Sequence, residues 1–141
     1  MEAFPKEKIV TNGGSLSFDK RKASIKIELM PFEYHGSETV ETEILLEGIK
    51  LPVEDFESLQ GNTYIFPVNP EDGYIDGSLY LEHAHHPVDV TKIIFGKLKG
   101  SMLEATIEGT VALSFEGLEH PETEEEYDDF SFGLSMILNA V

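Results

Sequence analysis

The sequence predicts an all-β domain: an antiparallel sandwich or barrel of about eight strands, with one short helix near residues 52–60. Three observations carry this prediction. Apolar and polar residues alternate with period two over most of the chain. Turn signals rich in Gly, Asn and Pro separate the alternating runs, and only one stretch has both a helical start and a helical stop.

The elements follow in order. Residues 15–19 read as a weak strand, and Ala23, Ile25, Ile27 and Leu29 alternate with Ser24, Lys26 and Glu28. Further strands are expected at 39–47 and 63–68. Ile75, Gly77, Leu79 and Leu81 alternate with Asp76, Ser78, Tyr80 and Glu82, and residues 88–95 are rich in Val, Ile and Phe. The clearest run puts Leu103, Ala105, Ile107, Gly109, Val111, Leu113 and Phe115 on one face. Its other face carries Glu104, Thr106, Glu108, Thr110, Ala112, Ser114 and Glu116, so one side packs and one side is wet. Thirteen straight residues would reach roughly 43 Å, so a bulge or bend is expected at Gly109. Phe130, Phe132, Leu134, Met136 and Leu138 share the face of a last strand.

Asn12-Gly13-Gly14 predicts a turn, Asn69-Pro70-Glu71-Asp72-Gly73 a hairpin loop, and Lys99-Gly100-Ser101 a join between two strands. Between Pro52 and Gln60 the pattern is helical. Pro52 suits a first helical position, Val53, Phe56 and Leu59 line one side, and Gly61 is placed to end the helix.

A length of 141 residues with 40% hydrophobic content fits a single domain, 1–141, with an acidic loop at 116–129. The chain has no cysteine, which removes disulfides, thiol nucleophiles and thiolate metal sites. Twenty-seven acidic against ten basic residues give a formal charge of −17, and such a field repels phosphate backbones. No nucleic-acid partner is therefore expected. The start, MEAFPKEKIV, lacks an apolar signal core, and no apolar run is long enough for a membrane span. A cytoplasmic protein without a membrane partner is the expectation.

The charge is unevenly spread. Lys6, Lys8, Lys20, Arg21, Lys22 and Lys26 lie near the start, whereas no base follows Lys99. Eight carboxylates fall between Glu116 and Asp129. One reading of this segment is a solvated, self-repelling loop. The functional reading makes it a docking arm for a basic protein, carried by Glu124, Glu125, Glu126, Tyr127 and Phe130, with Leu118 as a further anchor.

Catalytic signatures are scarce. There is no Gly-x-Ser-x-Gly elbow, no Gly-x-Gly-x-x-Gly fingerprint and no Walker sequence. Glu104 and Glu108 share a strand face with Thr106, Thr110 and Ser114, which reads as a solvated sheet face and not as a carboxylate pair in a cleft. Asp72-Gly73 is turn chemistry and not a calcium loop.

Histidines cluster in His83-Ala84-His85-His86-Pro87. In a strand, His83 and His85 point to the side that carries Leu79 and Leu81, while His86 points the other way, as a solvated residue leading into a turn at Pro87. Two imidazoles so spaced can chelate a first-row metal. Gly77, His83, His85, Asp89 and Gly96 stand at the intervals of the first cupin motif, with Asp in place of Glu, and the stretch resembles that family. Gly109, Gly117 and His120 fall at intervals of the second motif, where Phe115 replaces Pro and Glu124 replaces Asn. The resemblance implies a metal-dependent β-barrel enzyme holding a divalent metal on His83, His85, Asp89 and His120. The first reading is a small acidic binding protein with no cofactor and no catalytic residues, of the inhibitor or immunity type; the cupin-like enzyme is the alternative.

Overall fold

A computed structural model describes residues 6–34, 38–69, 71–81, 84–113 and 129–141. Its strands are β1 (Thr11–Asp19), β2 (Lys22–Leu29), β3 (Phe32–Tyr34), β4 (Glu38–Val40), β5 (Glu43–Lys50), β6 (Thr63–Ile65), β7 (Asp76–Leu81), β8 (Ala84–Lys99), β9 (Met102–Val111) and β10 (Phe130–Ala140). Sequence alternation becomes alternation of burial. In β2, Ala23, Ile25, Ile27 and Leu29 are buried while Lys22, Ser24, Lys26 and Glu28 are exposed. In β9, Leu103, Ala105, Ile107, Gly109 and Val111 face inward in the same way.

Hydrogen bonding joins β1, β2, β5, β7, β8, β9 and β10 in that order, and β10 returns to β1 to close a seven-strand barrel. The all-β expectation holds, and of sandwich and barrel the chain adopts the barrel. All neighbours are antiparallel except β1 and β10. Arithmetic requires the exception: strands alternating in direction, seven in number, begin and end pointing the same way. One end of the barrel carries the β1–β2 and β8–β9 turns. The β3–β4 hairpin, inserted between β2 and β5, lies at the other end.

The interior is filled. Leu16, Ile25, Ile27, Ile44, Leu46, Leu79, Ile93, Phe95, Leu103 and Leu138 are essentially inaccessible. Residues from the connections extend this core: Ile9, Phe32 and Val40 on the β3–β4 side, and Leu51, Leu59, Phe66 and Ile75 from the segments around β6. Burial of side chains this large contributes about 1.5–3 kcal/mol each relative to exposure.

Several local expectations are corrected. The helix at 52–60 contracts to a 3-10 turn, Glu57–Leu59. Val53, Phe56 and Leu59 are spaced by three, the period of a 3-10 turn and not of an α-helix. Asp55 accepts the Ser58 N–H at 2.7 Å, and hydrogen bonds from Ser58 hold its carboxyl below the usual carboxylate range. Asn12-Gly13-Gly14 is not a turn but an irregularity inside β1, with Gly13 at φ 101° and the register to β2 shifted between Thr11 and Gly14. The hairpin expected at 69–73, of which Pro70 lies outside the described residues, is not formed: Tyr74 N–H turns back to the Glu71 carbonyl at 3.2 Å, but β6 pairs with β8 and not with β7. Lys99-Gly100-Ser101 is the hairpin turn expected, with Lys99 opposite Met102 and a positive φ at Gly100.

The expected irregularity near Gly109 is present, but in the partner strand. β8 carries an extra residue between Val90 and Lys92, opposite the Gly109–Glu108 step of β9. A Cβ on Gly109 would stand 2.3 Å from the Asp89 carbonyl oxygen. Gly109→Ala should therefore destabilise the protein by about 1–3 kcal/mol through overpacking, read as a lower urea midpoint at unchanged m-value. The opposite sign is expected at the β1–β2 turn, where Lys20 holds φ 61°. Lys20→Gly should raise stability by about 0.5–1 kcal/mol, since relief of left-handed strain exceeds the entropy of the added glycine.

Candidate functional site

The β7–β8 hairpin reverses the parity read from the sequence. Leu79 pairs with His86 and Tyr80 with His85, and directly opposed residues share a face. His86 is thus inside with Leu79, and His85 is outside with Tyr80. A single uninterrupted strand would have given the reverse. Pro87 sits within β8, opposite Ser78, and not in a turn.

His85 is exposed; its Nε2 lies 2.9 Å from Ser78 Oγ, and its ring meets Tyr80 edge-on at 5.0 Å. Asp89 shares its face four residues on, about 13 Å away along the strand, too far for these two side chains to hold one ion. His83 and His120 lie outside the described residues. Among the described residues no three His, Asp or Glu side chains converge as a metal site.

His86 is 5% exposed, the buried polar side chain among otherwise apolar described core residues, and its Nδ1 has no hydrogen-bond partner. Burial pushes its pKa below the ordinary histidine value; a hydrogen bond with the Ala112 backbone opposes this, and the nearby His85 adds to it.

The acidic segment is tied at its base. Asp129 Oδ1 accepts the Leu113 N–H at 2.9 Å, joining the second residue after β9 to the residue before β10. Glu124, Glu125, Glu126, Tyr127 and Leu118 lie outside the described residues. Phe130, expected as an anchor, is 8% exposed and belongs to the core. Its ring is committed to the barrel interior.

Two features of the outer wall stand out. Across β2, β5 and β7, Glu28 lies opposite Glu43 and Glu47 opposite Asp76, like charges in direct register. Lys26 reaches Glu43 at 3.5 Å, a partial and exposed compensation. Across β8, β9 and β10 the wall is less charged and hollowed into an open trough of about 470 Å³, bordered by Ile94, Gly96, Glu104, Thr106, Ser135 and Ile137. Thr106 and Ser135 hydroxyls pair at 2.9 Å across its floor. Sequence reading passed over this trough, because Glu104 looks like any outward residue of an alternating strand. Its only trace in the sequence is Gly96, which leaves a space in the face of β8.

A depressed histidine pKa has a defined sign. The unfolded chain takes up the proton first, so the contribution of neutral His86 is fully present above about pH 6.5 and is lost as the pH falls through the lower folded value. Denaturation midpoints should drop on acidification from pH 7.5 to 5. His86→Leu should flatten that drop and match or exceed wild type at pH 5 by about 1 kcal/mol, since it removes an unsatisfied buried nitrogen.

No protein-family model matches the chain, and no match was found among curated proteins or solved structures.

Proposed function

We propose that this chain is a non-enzymatic binding protein that engages a basic protein partner through its acidic outer surface, in the manner of an inhibitor or immunity protein. One observation carries the reading. The barrel interior, where a ligand-binding barrel would hold its cargo, is occupied by the chain's own side chains from Leu16 to Leu138. Recognition then falls to the outside, and that outside carries a formal surplus of seventeen negative charges. Such a field attracts a basic partner at long range and accelerates encounter.

The acidic segment strengthens the case. Leu113 and Asp129, the described residues on either side of 114–128, are joined by a hydrogen bond at the end of the barrel where β9 stops and β10 starts. The proposal places the protein in the cytoplasm, which its lack of cysteine suits.

The test is capture of partners from the native lysate, followed by kinetics at two salt concentrations. Changing Glu124, Glu125 and Glu126 together to Gln should lower the on-rate about three- to tenfold at low salt and flatten its salt dependence. Tyr127→Ala should instead raise the off-rate. Folding stability should stay the same or rise slightly with the Gln changes, because they relieve repulsion. Identical partners at identical rates for wild type and the triple variant would refute a docking role for the segment.

A further inference from the structure

We infer that the trough on the outer face of β8, β9 and β10 receives a lysine or arginine side chain of the basic partner, with the Glu104 carboxylate taking the cation and Ile94 and Ile137 flanking its methylenes. The inference rests on the basic-partner reading and gives it an address.

The carboxylate is held in place by the fold. Between Phe95 and Leu98 the register of β8 against β9 shifts, which turns two N–H groups away from the ladder. Lys97 N–H donates to Glu104 Oε1 at 3.0 Å, and Leu98 N–H donates to Gln60 Oε1 at 2.7 Å. Gly96 makes the first bond possible, since a Cβ there would stand 2.7 Å from Glu104 Oε1. The Glu104 side chain therefore lies down over the irregular backbone, with one oxygen engaged. Among the described residues no Lys or Arg nitrogen forms an ion pair with it. Arg21 pairs with Glu54, Lys26 with Glu43 and Lys50 with Asp72.

The surroundings suit a long cationic side chain better than a free ion. Glu104 is the charged residue in the lining, and Lys92 and Glu108 oppose each other in the neighbouring row. Ile137, 37% exposed, stands directly opposite Glu104 on β10, and Ile94 stands opposite Thr106 on β8. An aliphatic stem on apolar walls with its charged head on a fixed carboxylate is how Lys and Arg side chains bury. The Thr106–Ser135 hydroxyl pair offers further acceptors to a guanidinium.

The experiment is amide NMR titration of the intact chain with N-acetyl-arginine N-methylamide, alongside the norleucine analogue, which keeps the stem and lacks the charge. Shifts should concentrate at Ile94, Lys97, Thr106, Ser135 and Ile137, with the norleucine probe binding at least several-fold more weakly. Glu104→Gln keeps an oxygen for Lys97 N–H but loses the charge, and should weaken the arginine probe about fivefold. Gly96→Ala keeps the charge but displaces the carboxylate, and should weaken it as well; an unchanged fold in both variants is read from the same spectra. Equal affinity of both probes, or arginine shifts centred on Glu28, Glu43 and Glu47 and untouched by Glu104→Gln, would overturn the trough. Those outcomes leave the basic-partner reading standing on its own capture experiment, whereas failed capture beside an intact arginine response would count against that reading and not against the trough.

Discussion

Closure of the barrel depends on a narrow parallel seam. Gly14, Ser15 and Leu16 of β1 lie beside Leu138, Asn139 and Ala140 of β10, and the Val141 N–H reaches the Leu16 carbonyl at 3.0 Å. Seven alternating strands leave no antiparallel way to close, so this seam brings together the two ends of the sheet. Gly14 is fitted to it: a Cβ there would stand 2.2 Å from the Lys26 carbonyl oxygen and 3.0 Å from Leu138. Without the seam, β1 and β10 would be open edges with unpaired backbone, the usual starting point for aggregation. With it, the described inward residues from Leu16 to Leu138 join one core, against which Phe132 and Leu134 of β10 pack partly buried.

Enclosure then decides where function can reside. A barrel whose centre is packed with Ile, Leu and Phe side chains has no room for a cargo, and its chemistry must be on the outer wall or at the ends. The outer wall is differentiated. Its β2–β5–β7 side stacks carboxylates in register, which costs stability and is tolerated, while its β8–β9–β10 side is nearly neutral and hollowed around one oriented carboxylate. The acidic segment is tied at the end where β9 stops and β10 starts. In the proposed reading, long-range attraction and short-range fit fall to different parts of one surface, as fast and specific association requires.

His86 shows the cost of packing a barrel from a hairpin. Its inward place follows from pairing with Leu79, and no described group satisfies its Nδ1. The ring is held neutral by the apolar surroundings, a liability that a well-filled core can carry because the remaining inward positions are apolar.

The all-β class, the strands carrying Ile25, Leu79, Ile107 and Leu138, the β8–β9 turn at Gly100 and the acidity of the surface were all legible in the sequence, because period-two alternation, turn chemistry and net charge are local properties. Barrel rather than sandwich was not legible, since it depends on β10 finding β1 across almost the whole chain. The same holds for the faces of His85 and His86. Leu81 pairs with Ala84 across the hairpin, which inverts the parity, and only the Leu79–His86 register reveals it. Glu104 belongs to this second class as well. The sequence places it on a wet strand face, but its fixed position comes from a register shift in β8 and the missing side chain of Gly96. Those are relations between strands, decided only once the chain has folded.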